Sequence, residues 1–506
     1  MVCHELPRSS VLLSFRGHGA RSDNRWIFLS GHEGRFLCSE RLFVLCPDPF
    51  YDAVRTAMDV KICIIGAGSA VFSLDLVRDL CLTDSLQGST VSLVDINEQR
   101  LDAIHDIARR YANETNTSFT FEKSRERGKA LEDADFVINT ALVGGHENQE
   151  LQRKVAERHG YYRGVGDIIS DYYSDIGSYH QLKFAKDLTE EMEGKCPDAW
   201  LLQTSNPVFE ICTMLTRETR IKTLGLCDGF DVGCEVLTDA LGLDRKDVLI
   251  EASGLNHIIW MTKFLHKGMH AYPILDEWLE EKMEAYYRDL EYIPEALSPA
   301  AIDMYRTFGL FPIGDTARVG NWWYHIDPES KERWYGPAGG MDSEVGDAIY
   351  LKFIENKLNE VLEVAKDQSA SVTKNFPLMR SIQQHIQVID AIVNDNEGRF
   401  QLNVPNVDAI SGIVSDVVVE IPASVSKRGA RTLFRGELPK RIVIQTLIPR
   451  ILRMELVIEA FLTGDRQLLL DLILNDRRTE SPDQAKALLD DILGLPFNKP
   501  MADHYK

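Results

Sequence analysis

Long apolar runs and paired cysteines are both missing from this sequence of 506 residues. No apolar segment reaches the roughly 18 to 20 residues that a membrane-spanning helix needs, so we expect no membrane partner. The nine cysteines are scattered without a CxxC pair, which argues against a disulfide framework and indicates a reducing, cytoplasmic location. Cys227 is then free to act as a thiolate ligand.

Positive charge is scarce as well. The chain has 56 Lys and Arg residues against 77 Asp and Glu residues, a formal net charge of −21. Because phosphate contacts need a basic surface, this balance argues against a general nucleic-acid binder, although it leaves room for a local cationic pocket. With 44% hydrophobic and 26% charged residues, the composition is that of a globular chain long enough for two packed domains or for one large α/β unit with additions.

The first 57 residues lack a sustained helical or strand period and also lack an apolar core of signal-peptide length. We expect an extension that is disordered or non-native, with Met58 as the working start; the alternative is a regulatory or targeting arm. The remaining chain is predicted to divide into a nucleotide-binding domain at 58–255, an α+β substrate domain at 256–496 and a tail at 497–506.

A strand followed by a glycine-rich turn opens the second segment. VKICIIGAGSA (60–70) leads into a helical pattern, with Gly66 suited to the tight turn and Gly68 to the close approach of a pyrophosphate. The third glycine of the usual fingerprint is replaced by Val71. A second apolar strand ends in Asp95, at the distance where an acid binds an adenosine ribose, which favours NAD over NADP. The alternative is a βαβ unit that only packs.

The stretch 204–260 contains three strand ends that carry polar side chains. Asn206 follows the first apolar run, Cys227 and Asp228 follow the second, and Asn256 and His257 follow the third. Ligands of open α/β sheets bind at the carboxyl ends of parallel strands, so these ends predict a metal site beside a nucleotide. The alternative is a buried cysteine, a core histidine and an Asp that caps a helix.

Two further segments are interpreted as loops. The polar stretch after Gly145 is placed over the nicotinamide end, where His146 and Asn148 contact sugar hydroxyls; a solvated helix start is the equal alternative. The stretch 304–325, dense in Trp, Tyr and Arg, is expected to be a loop that faces a sugar or forms a lid. Helical and strand patterns after residue 344 complete a second lobe.

An ordered set of motifs resembles glycoside hydrolase family 4 over residues 59–496. The motifs are GAGSA (66–70), Asp95, TSNP (204–207), LCDG (226–229), GLNH (254–257), LNVPN (402–406) and VVVEIPA (417–423). The resemblance implies an α/β fold: a Rossmann-type domain like that of lactate and malate dehydrogenases, with a C-terminal α+β substrate domain. It also implies NAD bound by Gly66, Gly68, Ser69 and Asp95, and Mn²⁺ or another divalent metal held by Cys227 and His257.

The family resemblance implies a glycosidase that does not need the usual carboxylate pair. NAD takes hydride from C3 of the sugar, the C2 proton is removed, the glycosidic oxygen leaves, water adds, and the hydride returns. Asp228 matches the general acid of some relatives, and Asn206 matches a substrate-binding position. Asp315 is the predicted base, with Tyr305 and Tyr324 as alternatives.

The sugar is predicted from two further motifs. HGYYRG (159–164) and AYPILDEW (271–278) resemble the α-glucuronidase and α-galacturonidase members, and Arg318 or Arg163 would bind the uronate carboxylate. The alternatives are an α-glucosidase or α-galactosidase of the same family, a hydroxy-acid dehydrogenase, and an NAD-binding sensor without catalysis. The resemblance also implies a homodimer or homotetramer.

Overall fold

A computed structural model describes residues 59–161, 176–288, 290, 292–319, 322–341 and 343–506. It also describes five short strands before residue 57: His4–Glu5, Val11–Leu13, Ile27–Phe28, Arg35–Cys38 and Arg41–Val44. The rest of the predicted extension lies outside the described residues. The chain forms two compact units, Met1–Thr56 and Ala57–Lys506. None of the helices in the described ranges has the length and apolarity to cross a membrane.

Six parallel strands form the amino-terminal half of the larger unit. They are β1 (Lys61–Ile65), β2 (Thr90–Val94), β3 (Thr120–Ser124), β4 (Phe136–Asn139), β5 (Trp200–Gln203) and β6 (Lys222–Gly225). β1, β2 and β4 are buried almost throughout, as expected for parallel strands covered by helices on both faces. Their spatial order is β3-β2-β1-β4-β5-β6, the order of a Rossmann fold, so the predicted fold class is confirmed.

Helices connect these strands and supply the right-handed crossovers that parallel pairing requires. They are α1 (Phe72–Cys81), α2 (Glu98–Thr115), α3 (Arg127–Leu131), α4 (Gly145–Arg158), α5 (Tyr179–Lys195), α6 (Val208–Glu218) and α7 (Gly229–Leu241). Local signals set their ends. At α2, the Asn97 side chain accepts a hydrogen bond from the Arg100 N–H, and Asn116 ends the helix in the left-handed region.

The sheet continues past β6 with antiparallel strands from the carboxyl-terminal half. They are β7 (Val248–Leu255), β8 (Ile258–His266), β9 (Met269–His270), β10 (Pro312–Ile313), β11 (Gly398–Pro405), β12 (Val418–Ser426) and β13 (Gly429–Thr432). The order continues as β6-β11-β12-β7-β8-β9, with β10 on β8 and β13 on β12. The predicted domain boundary at 255/256 falls in the β7–β8 hairpin.

The remaining helices surround this extension. They are α8 (Tyr272–Glu281), α9 (Met283–Arg288), α10 (Pro299–Phe308), α11 (Thr316–Val319), α12 (Pro328–Tyr335), α13 (Glu344–Lys366), α14 (Val372–Asn375), α15 (His385–Asn394), α16 (Lys440–Ile442), α17 (Ile448–Thr463), α18 (Arg466–Leu474), α19 (Pro482–Leu493) and α20 (Lys499–His504). The last ten residues, assigned to a tail from the sequence, contain α20, and Asn498, Met501 and Tyr505 are buried there.

Both segments interpreted as loops contain helices: the first forms the helix start that was its equal alternative, and the loop interpretation of 304–325 is wrong. The residues after Gly144 form α4, because Gly144 adopts a left-handed conformation that turns the chain directly into the helix. The stretch 304–325 begins inside α10. Ser298 caps that helix by accepting from the Ala301 N–H, and Gly309 ends it, signals that the aromatic density of the stretch obscured.

Candidate metal and nucleotide site

Cys227, His257 and Asp315 each direct one metal-ligating atom into a common space. These three atoms lie within 4.8 Å of one another, and the His257 Nε2 is 3.7 Å from the Asp315 Oδ2. Ligand bonds to a transition metal of about 2.0–2.3 Å are compatible with that spacing. Sulfur, imidazole and carboxylate together suit a divalent transition metal, so the residues fit such an ion.

Strand pairing brings Cys227 and His257 together, by a different route from the one expected. The expectation of three neighbouring parallel strand ends is wrong, because β11 and β12 lie between β6 and β7. Gly225, Asn403, Glu420 and Gly254 are successive partners in one row across these four strands. Cys227 follows one end of the row by two residues and His257 follows the other by three.

Asp315 reaches the same space through the short pairing of β8 with β10. Ile259 pairs with Ile313 in antiparallel register, so His257 and Asp315 stand opposite each other two residues beyond that pair. A side chain at Gly229 would place its Cβ 2.6 Å from the Asp315 Oδ2. Glycine at the start of α7 therefore leaves the room that the carboxylate occupies.

The electrostatics of this group favour a bound cation. Burial, and then the negative charges of Asp228, Glu420 and Asp315, raise the pKa of the Cys227 thiol well above its usual value. A divalent cation would offset both effects, because a coordinating thiol gives up its proton. Burial also lowers the pKa of His257, which keeps the imidazole neutral, as a ligand must be.

Asp315 is held as a carboxylate at neutral pH. Burial opposes its ionisation, but electrostatic interactions with Arg318, and to a lesser extent with His257, outweigh burial and lower its pKa. The Arg318 Nε is 3.7 Å from the Asp315 Oδ1, and the Arg318 side chain is buried. The carboxylate is therefore ready either to accept a proton or to bind a cation.

Asp228 stands at the N-cap position of α7, next to Cys227. Its Oδ2 accepts a hydrogen bond of 3.1 Å from the Gln383 Nε2. Burial raises the pKa of Asp228, the Gln383 hydrogen bond lowers it, and the charge of Asp315 raises it again, with a net upward shift. A raised pKa favours the protonated form of a carboxyl group, which is the form that a general acid needs. Gln383 carries no sequence signal that singles it out.

The glycine-rich turn and Asp95 meet as a dinucleotide cradle requires. The Gly68 N–H donates to the Asp95 Oδ2 at 2.8 Å, and a Cβ on Gly68 would lie 2.7 Å from the Asp95 Cγ. Gly66 has a φ of +87°, and a Cβ there would meet the Ala141 backbone at 2.8 Å. The Ser69 Oγ accepts from the Phe72 N–H at the start of α1. A side chain would therefore clash at either glycine, and the turn fits a pyrophosphate.

The other predicted substrate residues lie on separate elements. The Asn148 Nδ2 donates to the Gly144 carbonyl in the first turn of α4, and the Asn206 carbonyl accepts from the Gln181 Nε2. The hydroxyl groups of Tyr305 and Tyr324, the alternative bases, donate to Asp276 and Asp303. Those hydrogen bonds, after burial, raise the pKa of both tyrosines. Arg163 lies outside the described residues.

Two models of one family match most of this chain. The model described as "Family 4 glycosyl hydrolase" matches residues 61–243, and its C-terminal domain matches residues 252–479. An α-galactosidase of Bacillus subtilis is 27% identical, over 76% of this chain and 85% of that protein. An α-galacturonidase of Thermoanaerobacter italicus is 23% identical, over 82% of this chain and 91% of that protein.

A solved structure shares the fold. It is a 6-phospho-α-glucosidase from gut microorganisms in complex with NAD and Mn²⁺, with a TM-score of 0.69 and 18% identity. The match covers 88% of this chain and 99% of that one. The three matches thus cover 85%, 91% and 99% of the lengths of those proteins.

Proposed function

This chain belongs to glycosyl hydrolase family 4, and we propose that it hydrolyses α-linked uronides, galacturonides or glucuronides, with bound NAD and a divalent metal such as Mn²⁺. The observation that carries the proposal is the convergence of Cys227, His257 and Asp315 within 4.8 Å. Four of the curated relatives are α-galacturonidases, which supports the uronide. A cysteine and a histidine that served only to pack the core would not need a carboxylate beside them.

Each cofactor has a set of residues to hold it. Gly66, Gly68, Ser69 and Asp95 would hold NAD, and Cys227 and His257 would hold the metal. When bound, NAD supplies reversible hydride acceptance and the metal supplies Lewis acidity toward sugar oxygens. The protein supplies the proton transfers and the orientation of the sugar.

The pKa values of two carboxyl groups are shifted in the directions that these transfers need. Asp315, held as a carboxylate, takes the C2 proton of the sugar, and Asp228, whose pKa is raised, gives its proton to the leaving oxygen. Water then adds at C1 and returns a proton to Asp228, while Asp315 returns its proton to C2. Asn206 and Asn148 bind sugar hydroxyl groups, and both carboxyl groups end the cycle as they began.

Arg318 is the proposed receptor for the uronate carboxylate. Its buried guanidinium group is already near Asp315, so a second carboxylate would share its five N–H donors. A neutral α-galactoside is the second candidate substrate, since a curated relative with 27% identity is an α-galactosidase.

A substrate screen tests the proposal. Nitrophenyl α-galacturonide, α-glucuronide, α-galactoside, α-glucoside and 6-phosphoglucoside are each incubated with the protein, NAD, Mn²⁺ and a thiol. We expect uronide hydrolysis that a chelator stops and no net NADH. Hydrolysis of the neutral galactoside alone would favour the second candidate. NADH formed in proportion to product would indicate a dehydrogenase and contradict the glycosidase.

We also propose that the protein acts in the cytoplasm as a homodimer or homotetramer. The support is the family resemblance together with the six buried or half-buried free cysteines of the described residues. Light scattering on the purified chain would give the mass, and a monomer of 57.3 kDa would contradict the assembly.

A further inference from the structure

A buried carboxyl group that the proposed reaction does not use lies next to the candidate metal site. Glu420, in β12, is only 2% exposed and stands opposite Gly254 in the row that links Cys227 to His257. Burial is the main reason that its pKa is raised to about 7. A buried carboxyl group is costly to keep unless donors satisfy it, so its hydrogen bonds indicate what it does.

One of those hydrogen bonds comes from the turn that carries His257, and another comes from Gln401 in β11. The Asn256 Nδ2 donates to the Glu420 Oε2 at 3.0 Å, and Asn256 is itself 3% exposed. The Gln401 Nε2 reaches the Glu420 Oε1 at 3.4 Å and the Ala252 carbonyl of β7 at 3.2 Å. Glu420 is thus attached to the β7–β8 hairpin directly, and through Gln401.

The backbone of that hairpin is unfavourable at His257. Leu255 pairs with Ile258, so Asn256 and His257 form a two-residue turn. His257 has a φ of +64°, a conformation that glycine or asparagine adopts more readily than histidine. Asparagine is present in this turn, but it occupies the preceding position with its side chain directed at Glu420. Strain of this kind persists only where neighbouring contacts enforce it.

We propose that Asn256 and Glu420 are a positioning pair that fixes this turn and so directs the His257 imidazole toward the metal. The inference rests on the proposed function, because it assumes that His257 is a metal ligand. Neither side chain belongs to the group of metal-ligating atoms formed by Cys227, His257 and Asp315. Their role is to hold His257 in a backbone conformation that the turn would not keep without these contacts.

Metal affinity, measured without turnover, tests the pair. Full-length protein stripped of metal is titrated with Mn²⁺, and free Mn²⁺ is followed by electron paramagnetic resonance. Asn256→Ala and Glu420→Leu are each expected to raise the Kd for Mn²⁺ about tenfold or more, as losses of outer partners of metal ligands do. The Kd for NAD, from quenching of tryptophan fluorescence, should stay within about twofold because the glycine-rich turn is on another element.

Two matched variants separate positioning from general destabilisation. Asn498→Ala removes a buried amide that donates to the Gln152 Oε1 and to the Ile492 carbonyl, so it should lower the midpoint of unfolding and leave the Mn²⁺ Kd unchanged. Glu420→Gln keeps an oxygen that accepts from Asn256, so it should restore the Kd to within about threefold of the unsubstituted protein. The double variant Asn256→Ala with Glu420→Leu should bind Mn²⁺ no more weakly than the poorer single variant, as expected for one coupled pair.

Several outcomes would overturn the pair. The first is an unchanged Mn²⁺ Kd in Asn256→Ala. The second is an equal loss of Mn²⁺ affinity in Glu420→Gln and Glu420→Leu. The third is a loss of Mn²⁺ affinity in the double variant that equals the sum of the two single losses in free energy. If Asn256→Ala does not fold, Asn256→Ser takes its place with the same expected result. If the proposed metal site itself is wrong, Cys227→Ser and His257→Ala will bind Mn²⁺ as the unsubstituted protein does. If those two variants lose Mn²⁺ while Asn256→Ala and Asn256→Ser keep it, only the positioning role is wrong.

Discussion

At the scale of single residues, Cys227 differs from the other cysteines in its surroundings. Burial, and then the charges of Asp228, Glu420 and Asp315, raise the pKa of its thiol, and a carboxylate and an imidazole lie within 4.8 Å of its sulfur. Cys196, in contrast, is a buried cysteine at the end of α5. The two residues therefore offer a direct comparison of a proposed ligand with a packing cysteine.

We predict that Cys227→Ser weakens Mn²⁺ binding about 100-fold or more and leaves NAD binding unchanged, since a hydroxyl group is a poor substitute for a thiolate ligand. Calorimetric titration of each variant with Mn²⁺ and with NAD gives both constants. Cys196→Ser is the control and should bind Mn²⁺ normally. Equal Mn²⁺ affinity in both variants would refute the assignment of Cys227 as a ligand.

A second prediction distinguishes the base from a ligand at Asp315. If Asp315 is the base, Asp315→Asn lowers kcat by about 10²–10⁴ and changes the Mn²⁺ Kd little, because general base catalysis is worth that factor. If it is mainly a ligand, the Mn²⁺ Kd rises with the loss of kcat. Steady-state kinetics on the best uronide, together with the same Mn²⁺ titration, decides. A variant with full kcat would contradict both roles.

At the scale of elements, the start of α15 and the two residues before it connect the second lobe to the start of α7 and to the end of β5. Gln383 donates to Asp228, Gln384 donates to Asp231, and the His385 Nε2 lies 2.6 Å from the Thr204 Oγ1 after β5. Burial lowers the pKa of His385 to about 4. His385 is therefore neutral at pH 7. In the folded protein it binds a proton only at a lower pH than the same residue does in the unfolded chain.

The pH dependence of stability follows from that shift. Between pH 6.5 and about 4 the unfolded chain binds more protons at this position than the folded one, so the stability that His385 preserves at neutral pH is lost as the pH falls. A pKa shift of this size corresponds to ~3 kcal/mol in the free energy of unfolding. Urea unfolding at pH 7 and pH 4.5 should show a smaller loss for His385→Gln than for the unsubstituted protein. Equal losses would contradict the prediction.

At the scale of the whole molecule, one sheet joins both halves of residues 57–506. Two family models with a short gap between them match this sheet and its helices, and the first begins at residue 61. The unit Met1–Thr56 lies outside both matches. The catalytic machinery proposed above is thus contained in the larger unit.

We predict that deletion of residues 1–57 leaves kcat/KM on the best substrate within about twofold of the full-length value. The reason is that every proposed site residue comes after β1 in the sequence. Deletion of residues 1–65 is the control. It removes β1 from the middle of the parallel strands and should abolish soluble expression. Loss of active, soluble protein with the shorter deletion would show that the first segment is needed.

The sequence by itself determined the elements that local chemistry controls. Apolar runs with a glycine-rich turn predicted β1 and the nucleotide cradle, and the order of motifs predicted the family and the fold class. Cys227 and His257 could be chosen as candidates because each is a reactive residue type within a motif, and Asp315 because it lies nearest the position of the base in the family that the chain resembles. What spacing alone left open was whether any two of them meet.

Only the tertiary structure decided that question, and the reason is strand pairing between distant parts of the chain. β10 has two residues, too few for any periodic pattern, yet its pairing with β8 sets Asp315 opposite His257. Likewise β11 and β12 enter the sheet between β6 and β7 from more than a hundred residues away and bring Glu420 beneath the turn. Such contacts depend on register across the sheet, so the hydrogen bond of Asn256 to Glu420 and that of Gln383 to Asp228 could be identified only from the folded structure.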